Sequence, residues 1–357
     1  MLREDIVKHP DKDIDDALDG PCVGVELVDG RWWWPPASRM WSLLLAVRSL
    51  ACSAKPSPLG HGRASPAGVR AFMGTLQWYD LLERGKLSVY SKVYPFAAST
   101  PEKEIRAVPA DVLQELLCGV VLGPFWGFDM QRPFLSTVVA SDASTTFGYG
   151  VCVAELPLAQ VRSASRLDVK TGDHVVLGRG LASDAPDRVG LPHNLGLRDD
   201  DFTTVLRLRA PTQQHINILE GHAFLAGLRW VLRKRCRHRH RIVALIDSRV
   251  WIGAAAKGRS SSMPLLHLVR QASALVMAAG MVIHYVYIPS EHNPADAPSR
   301  GIPQPGAGDK QRRATASNMQ KIEERMAEPE SSEETHWTSQ AVWRGDLATS
   351  LLFDLES

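Results

Sequence analysis

Ser136-Thr137-Val138-Val139-Ala140-Ser141-Asp142 is an apolar, β-branched run that ends on a carboxylate. The chain repeats the device at Ile242-Val243-Ala244-Leu245-Ile246-Asp247. Valine, isoleucine and threonine are stiff at χ1 and suit a pleated surface, so both runs predict strands. Two more carboxylates complete the series. Glu220 sits in a helical pattern, on one stripe with Phe224, Gly227 and Val231; a carboxylate on a face that meets a sheet is costly unless paired or metal-bound. Asp296 opens a short segment bounded by Pro294 and Pro298. Each has a local explanation when taken singly. Strand-ending aspartates begin turns, Glu220 lies near a helix N-terminus, and Asp296 follows an Asn293 cap with Pro294 at the first helical position. The order strand, helix, strand, helix joins all four. Converging carboxylates repel, and cations are what let a fold hold them together. Two hard cations on shared carboxylates clamp the attacking and leaving oxygens of a phosphodiester.

That order, in those local contexts, resembles the ribonuclease H domain of gypsy-type and DIRS-type retroelement reverse transcriptase polyproteins. Ser141-Asp142-Ala143-Ser144 with Phe147-Gly148-Tyr149-Gly150 is similar to the domain's first strand and turn. Ile218-Leu219-Glu220-Gly221-His222-Ala223 resembles the start of its first helix, and Ile246-Asp247-Ser248 the end of its fourth strand. Ile288-Pro289-Ser290-Glu291-His292-Asn293-Pro294-Ala295-Asp296-Ala297-Pro298-Ser299-Arg300 is the most specific match. Integrases of the same superfold run Asp, Asp, Glu, and proofreading exonucleases begin Asp-x-Glu. Both fit this chain less well.

The resemblance spans residues 134–301 and implies an α/β fold with a ribonuclease H-like mixed five-stranded sheet flanked by helices. It implies magnesium-dependent hydrolysis of the RNA strand of RNA·DNA hybrids, with Asp142, Glu220, Asp247 and Asp296 as catalytic residues. Two Mg2+ (or Mn2+) ions are expected per site, about 3.5–4 Å apart. Asp142 would bridge both, Glu220 and Asp247 completing one site and Asp296 the other. His292 and His284 are candidates for proton shuttling, for which an ordinary loop or strand histidine is the competing explanation. Ser144 and Arg249 are candidate substrate contacts. The expected partners are the hybrid itself and reverse transcriptase or other element-encoded proteins. The chain departs from the family in a long insertion between Asp142 and Glu220, and in Pro298 and Gly301, which cut the last helix short. A catalytically silent nucleic-acid-binding or assembly scaffold is the alternative, as is a host protein derived from the element.

Length and composition set the frame. The chain has 357 residues, 45% of them hydrophobic, and a formal net charge of +2, so nucleic-acid binding would have to come from local patches. The longest is Arg233-Lys234-Arg235-Cys236-Arg237-His238-Arg239-His240-Arg241. It either tracks phosphates or ends a helix at the negative end of its dipole. Five scattered cysteines form no C-x-x-C pair, which points to a reduced, intracellular protein, cytoplasmic or nuclear, without a structural zinc. No apolar run approaches membrane-spanning length and no signal peptide is expected, so no membrane partner is foreseen.

Residues 1–20 are polar and expected to lack order. Residues 21–98 predict a β-hairpin about Asp29-Gly30 and two helices, 37–51 and 66–84. Val23-Gly24-Val25-Glu26-Leu27 and Leu76-Gln77-Trp78-Tyr79 resemble the end of a reverse transcriptase palm and its thumb. Residues 99–133 read as a connection. Within 134–301 the expected strands are 136–142, 147–155, 203–208, 241–247 and 281–288, and the expected helices are 216–235, 250–256 and 263–279. Residues 158–201 read as a polar insertion, and 302–357 as a disordered tail. The only adjacent aspartates before the hairpin, Asp15-Asp16, lack apolar strands around them, so no polymerase activity is expected.

Overall fold

Asp29 and Gly30 both adopt left-handed backbone, with φ of 53° and 56°, the conformation a two-residue type I′ hairpin requires. In the computed structural model, which describes residues 17–52, 62–167, 173–178 and 190–303, this turn joins β2 (Val25–Val28) to β3 (Trp32–Trp34). Asp15-Asp16, the tail from residue 304 and parts of the 158–201 stretch lie outside the described residues. β1 (Gly20–Cys22) pairs with β2 through a turn at Val23, whose φ of 51° is strained for a β-branched residue. The sequence gives no signal for that strand.

Helix α1 (Ala37–Cys52) follows. The short strand β4 (Arg63–Ala64) precedes α2 (Pro66–Asp80), which Ser65 caps by accepting a bond from the Gly68 N–H. The helix ends four residues earlier than its pattern predicts, and the chain continues as a 3-10 turn over Arg84–Val89. Then come α3 (Val93–Ala97), β5 (Arg106–Ala107), α4 (Ala110–Val121) and β6 (Phe128–Asp129). β6 returns to β3, and the Arg31 guanidinium clasps Asp129 with bonds of 2.9 and 2.8 Å.

Leu43, Val47, Val69, Met73, Leu76, Tyr79, Val112, Leu116 and Trp126 form the core of this helical part. At its centre Lys86 and Asp80 are fully buried and 3.1 Å apart. Asp80 also accepts bonds from the Tyr90 hydroxyl and the Trp126 indole, each 2.7 Å. The Lys86 ammonium lies 3.5 Å from the Trp126 ring centroid. Burial lowers the Lys86 pKa to about 8, with Asp80 acting against the shift. A buried charge is tolerated only with such partners.

The second half of the described chain is a mixed sheet. Its strands are β7 (Phe134–Ala143), β8 (Gly148–Glu155), β9 (His174–Val176), β10 (Pro192–Asn194), β11 (Thr203–Arg209), β12 (Arg241–Ile246) and β13 (Val282–Tyr287). The spatial order is β10-β9-β13-β12-β7-β8-β11. β7, β12 and β13 run parallel, β8 pairs antiparallel with β7, and β11 pairs antiparallel with β8 at the edge. The fold is therefore mixed α/β, but the sheet has seven strands and not the five expected. The stretch 158–201 supplies the difference. It contains helix α5 (Leu158–Ser165) and the strands β9 and β10, which extend the β13 edge. Val161, Ala164, Val175, Leu177 and Leu197 from this stretch join the core with Val138, Cys152, Val243 and Val286. Its polar average hides apolar residues that are too sparse to show periodicity.

The opposite face of the sheet meets α6 (Ile216–Leu232) and α7 (Arg249–Lys257), and α8 (Met263–Ala279) packs against both helices and the 3-10 turn at Arg84–Val89. Gly227 lets α6 lie close against the sheet; a Cβ there would stand 3.2 Å from Val139 and 3.3 Å from Val151. A final turn, α9 (Asp296–Ser299), packs on β7 and β8. Arg270 of α8 ties the two halves together by donating to the Ser88 and Val89 carbonyls. No helix among the described residues is long and apolar enough to cross a membrane.

Replacing Asp80 by Asn is expected to lower the unfolding free energy by about 3 kcal/mol, because it strands the Lys86 charge. Urea denaturation followed by tryptophan fluorescence measures this, and a loss under about 0.5 kcal/mol would show that the network is dispensable.

Candidate metal centre

The β7–β8 hairpin, α6 and the end of β12 converge on three carboxylates. Asp142, on β7 opposite Gly150 of β8, is buried. Glu220 projects from the second turn of α6 and is also buried. Asp247 follows directly on β12 and is half-buried. One ligand oxygen from each lies within 4.8 Å of the others. The sequence nominates the three from separate segments, 105 residues apart at the extremes; parallel pairing of Ser141 with Ile246 sets Asp142 beside Asp247.

Electrostatics follow from that crowding. Burial first, and then the charge of Asp247, push the Asp142 carboxyl up to about 8. Asp296 adds to the shift and the Ser299 hydroxyl offsets part of it. Burial, Asp247 and Asp142 together push Glu220 up to about 9, against a hydrogen bond from the Ala143 backbone. Glu220 Oε2 and Asp247 Oδ1 are buried without a hydrogen-bond partner among the described residues. Buried acceptor oxygens left unpaired are costly. A hard divalent cation meets all these conditions at once: it neutralises the charge, occupies the orphaned oxygens and prefers an all-carboxylate donor set. The residues fit such an ion.

The structure keeps Asp296 at the margin of this group. Both Arg300 bonds, 3.0 and 2.8 Å, end on its Oδ1, and it is not among the three whose oxygens meet within 4.8 Å. Its approach to Asp142 depends on backbone contacts that the sequence alone does not reveal. The Asn293 amide donates to the Ser141 carbonyl at 3.1 Å, and the Cys152 thiol donates to the Pro294 carbonyl. Gly150 makes room: a Cβ there would fall 2.4 Å from the Ala295 carbonyl oxygen and 2.6 Å from the Ser299 nitrogen.

The remaining nominated residues are placed as follows. Ser144 stands two residues past Asp142 in the hairpin turn, its hydroxyl 2.7 Å from that of Thr146. Arg249 is exposed at the first position of α7, its guanidinium 4.4 Å from the Tyr287 ring centroid. His292 is half-buried on a 3-10 turn and makes no bond to the carboxylates among the described residues. His284 stacks on Phe134 at 5.5 Å, paired in register with Val243 in the body of the sheet. Burial and Arg241 lower its pKa to about 4, so it is neutral at ordinary pH.

Neither the family models nor the curated proteins give a match to this chain. Among solved structures, a foamy viral protease–reverse transcriptase (dRH) in complex with double-stranded DNA has a TM-score of 0.25 and 8% identity. It covers 75% of this chain and 37% of its own. A foamy viral protease–reverse transcriptase in complex with an RNA/DNA hybrid has a TM-score of 0.23 and 9% identity, covering 78% and 51%. The chain thus spans about a third to a half of these neighbours, which are weak likenesses at that TM-score.

The pKa shifts set the sign of a pH effect. Both carboxyls titrate higher in the folded chain than the roughly 4 of an unfolded one, so across pH 4 to about 8 the folded state holds more protons. Stability then falls as pH rises through that window. Melting in EDTA is expected to drop by several degrees between pH 6 and pH 8.5, with Asp142→Asn flattening the trend. An equal slope in the two proteins would show that Asp142 is not the group responsible.

Proposed function

We propose that this protein is a metal-dependent phosphodiester hydrolase of the ribonuclease H type, cutting the RNA strand of RNA·DNA hybrids. The observation that carries this reading is the meeting of Asp142, Glu220 and Asp247 from three separate elements, with oxygens left unpaired. The strand order β11-β8-β7-β12-β13 supports it, since it sets the two aspartate-bearing strands side by side and parallel. We read residues 134–301 as the hydrolase and 21–133 as a thumb-like and connecting part belonging to a retroelement polyprotein.

Magnesium or manganese suits these hard oxygen donors better than zinc. Bound divalent cations would supply Lewis acidity, which activates water toward phosphorus and stabilises the departing 3′ oxygen. Asp142, Glu220 and Asp247 would hold one cation, and Asp142 with Asp296 would serve a second. Arg300 takes Asp296 Oδ1, so its other carboxylate oxygen would be the one to serve that cation. Burial of Asp142 and Glu220 restricts their oxygens, while half-buried Asp247 leaves the cluster open on one side. Ser144 and Arg249 flank the carboxylates in sequence and offer a hydroxyl and a guanidinium to the sugar–phosphate backbone. Recognition of that kind reads 2′ hydroxyls and shape, with little sequence preference. His292 is the proposed proton carrier.

Cleavage of a labelled RNA·DNA hybrid by the full chain is the direct assay, with duplex DNA and duplex RNA as controls. Magnesium and manganese are expected to support cutting and calcium little, since its looser coordination positions the reacting oxygens poorly. Asp142→Asn is expected to bring cleavage below detection while hybrid binding persists. Metal-dependent cutting that survives in Asp142→Asn would show that another site is at work. Binding of hybrid by the wild type with no cutting under any divalent metal would favour the silent scaffold.

A further inference from the structure

The basic run between α6 and β12 has no part in the carboxylate site. Its five arginines and one lysine, Arg233, Lys234, Arg235, Arg237, Arg239 and Arg241, lie ahead of β12 and at its first residue, whereas Asp247 follows that strand's end. Six residues of strand separate the two by roughly 20 Å. Among the described residues none of these six cations has a carboxylate partner. Arg233, Lys234, Arg235 and Arg239 are exposed.

A helix C-terminus favours one or two cations in its last turn; six exceed that need and repel one another. The fold nonetheless holds the loop firmly. The Arg239 N–H donates to the Ala279 carbonyl at 2.9 Å, and the residue adopts a left-handed φ of 59°. The His238 ring bonds the Leu232 carbonyl at 2.9 Å, and that of His240 bonds the His238 carbonyl at 2.7 Å. The Arg237 guanidinium lies 4.4 Å from the Trp230 ring centroid, which fixes its plane. Arg132 joins from the segment before β7, close enough to feel the charges of Arg241 and Arg239.

We propose that this loop is a second phosphate-binding surface, which grips the backbone of a nucleic-acid duplex at a distance from the carboxylates. Arginine outnumbers lysine five to one here, and its planar fork suits phosphate oxygens. A surface that inserts into a membrane carries apolar side chains, a protein interface carries an apolar centre, and a purely electrostatic lipid contact is distinguished by the vesicle measurement. Neither apolar feature is present: no large apolar side chain is exposed between Ile216 and Val250, and Cys236 is the run's sole member outside arginine, lysine and histidine. Phosphates are then the matching chemistry. At about 3.4 Å per base pair, roughly six base pairs separate this contact from the carboxylates. That both contacts share one duplex rests on the hydrolase reading; the phosphate surface does not.

The test uses the full chain, a fluorescein-labelled 20-base-pair RNA·DNA hybrid and EDTA, so that binding is read without metal or cutting. Fluorescence anisotropy is followed from 50 to 200 mM salt for the wild type and for a triple variant, Arg233→Gln, Lys234→Gln and Arg235→Gln. Removing three phosphate contacts is expected to weaken binding at least about tenfold at 50 mM salt. It should also reduce the slope of log affinity against log salt by about 2 to 3. A charge-preserving control, Arg233→Lys with Arg235→Lys, should keep the slope. Melting curves show that both variants fold. An unchanged slope in the folded triple variant overturns the proposal. So does a wild type that binds phosphatidylserine vesicles as tightly as the hybrid and loses that binding in the triple variant. A wild type that cuts the hybrid while the triple variant binds unchanged removes this surface and leaves the hydrolase standing. A wild type that never cuts while the variant loses its slope does the reverse.

Discussion

Three carboxylates forced within 4.8 Å of one another are the constraint on which the rest of the structure turns. Left ionised and bare they would repel, and the burial of Asp142 and Glu220 limits how far water screens them. The chain meets this by holding protons that exposed carboxyls would have lost, on Asp142 up to about pH 8 and on Glu220 up to about 9. It also leaves two oxygens without partners among the described residues. Both features are costs in the free protein, and both disappear when a divalent cation enters. A site that is strained when empty of cation and relaxed when filled is organised for binding one.

Rigid surroundings make such crowding possible. β7 and β12 pair in parallel, which fixes Asp142 against Asp247, and α6 is brought close to the sheet at Gly227 so that Glu220 reaches both. Gly150 clears the space in which the segment 293–299 crosses β8, anchored by the Asn293 amide and the Cys152 thiol. The helical half contributes at a distance, through Arg270 on α8 and the 3-10 turn that bears Lys86. Its buried Asp80–Lys86 pair gives that turn a defined position and not merely an apolar cushion.

The sequence made the centre of this arrangement readable because its signals are strong and local. β-branched runs ending on Asp142 and Asp247, the Glu220 stripe and the Asp29-Gly30 turn each depend on residues close in the chain. α8 is read to its observed ends because Pro264 opens it and Gly280, with a φ of 58°, closes it. What stayed hidden depends on distant contacts. β9 and β10 are three residues each; β9 rests on β13 and β10 on β9, so a polar stretch concealed them. β1 hinges on Val23 in a conformation valine seldom adopts. The Arg300 bonds to Asp296 were equally out of view, since pattern alone nominates Asp296 as the equal of the other three.

The central claim is that this cluster exchanges protons for a divalent cation. Calorimetric titration of magnesium into the full chain at pH 7, in two buffers of different ionisation enthalpy, counts those protons directly. Release of roughly one to two protons per chain is expected, falling toward zero above pH 9 and reduced in Glu220→Gln. Magnesium binding with no proton release at pH 7, or no binding at all, would contradict the account.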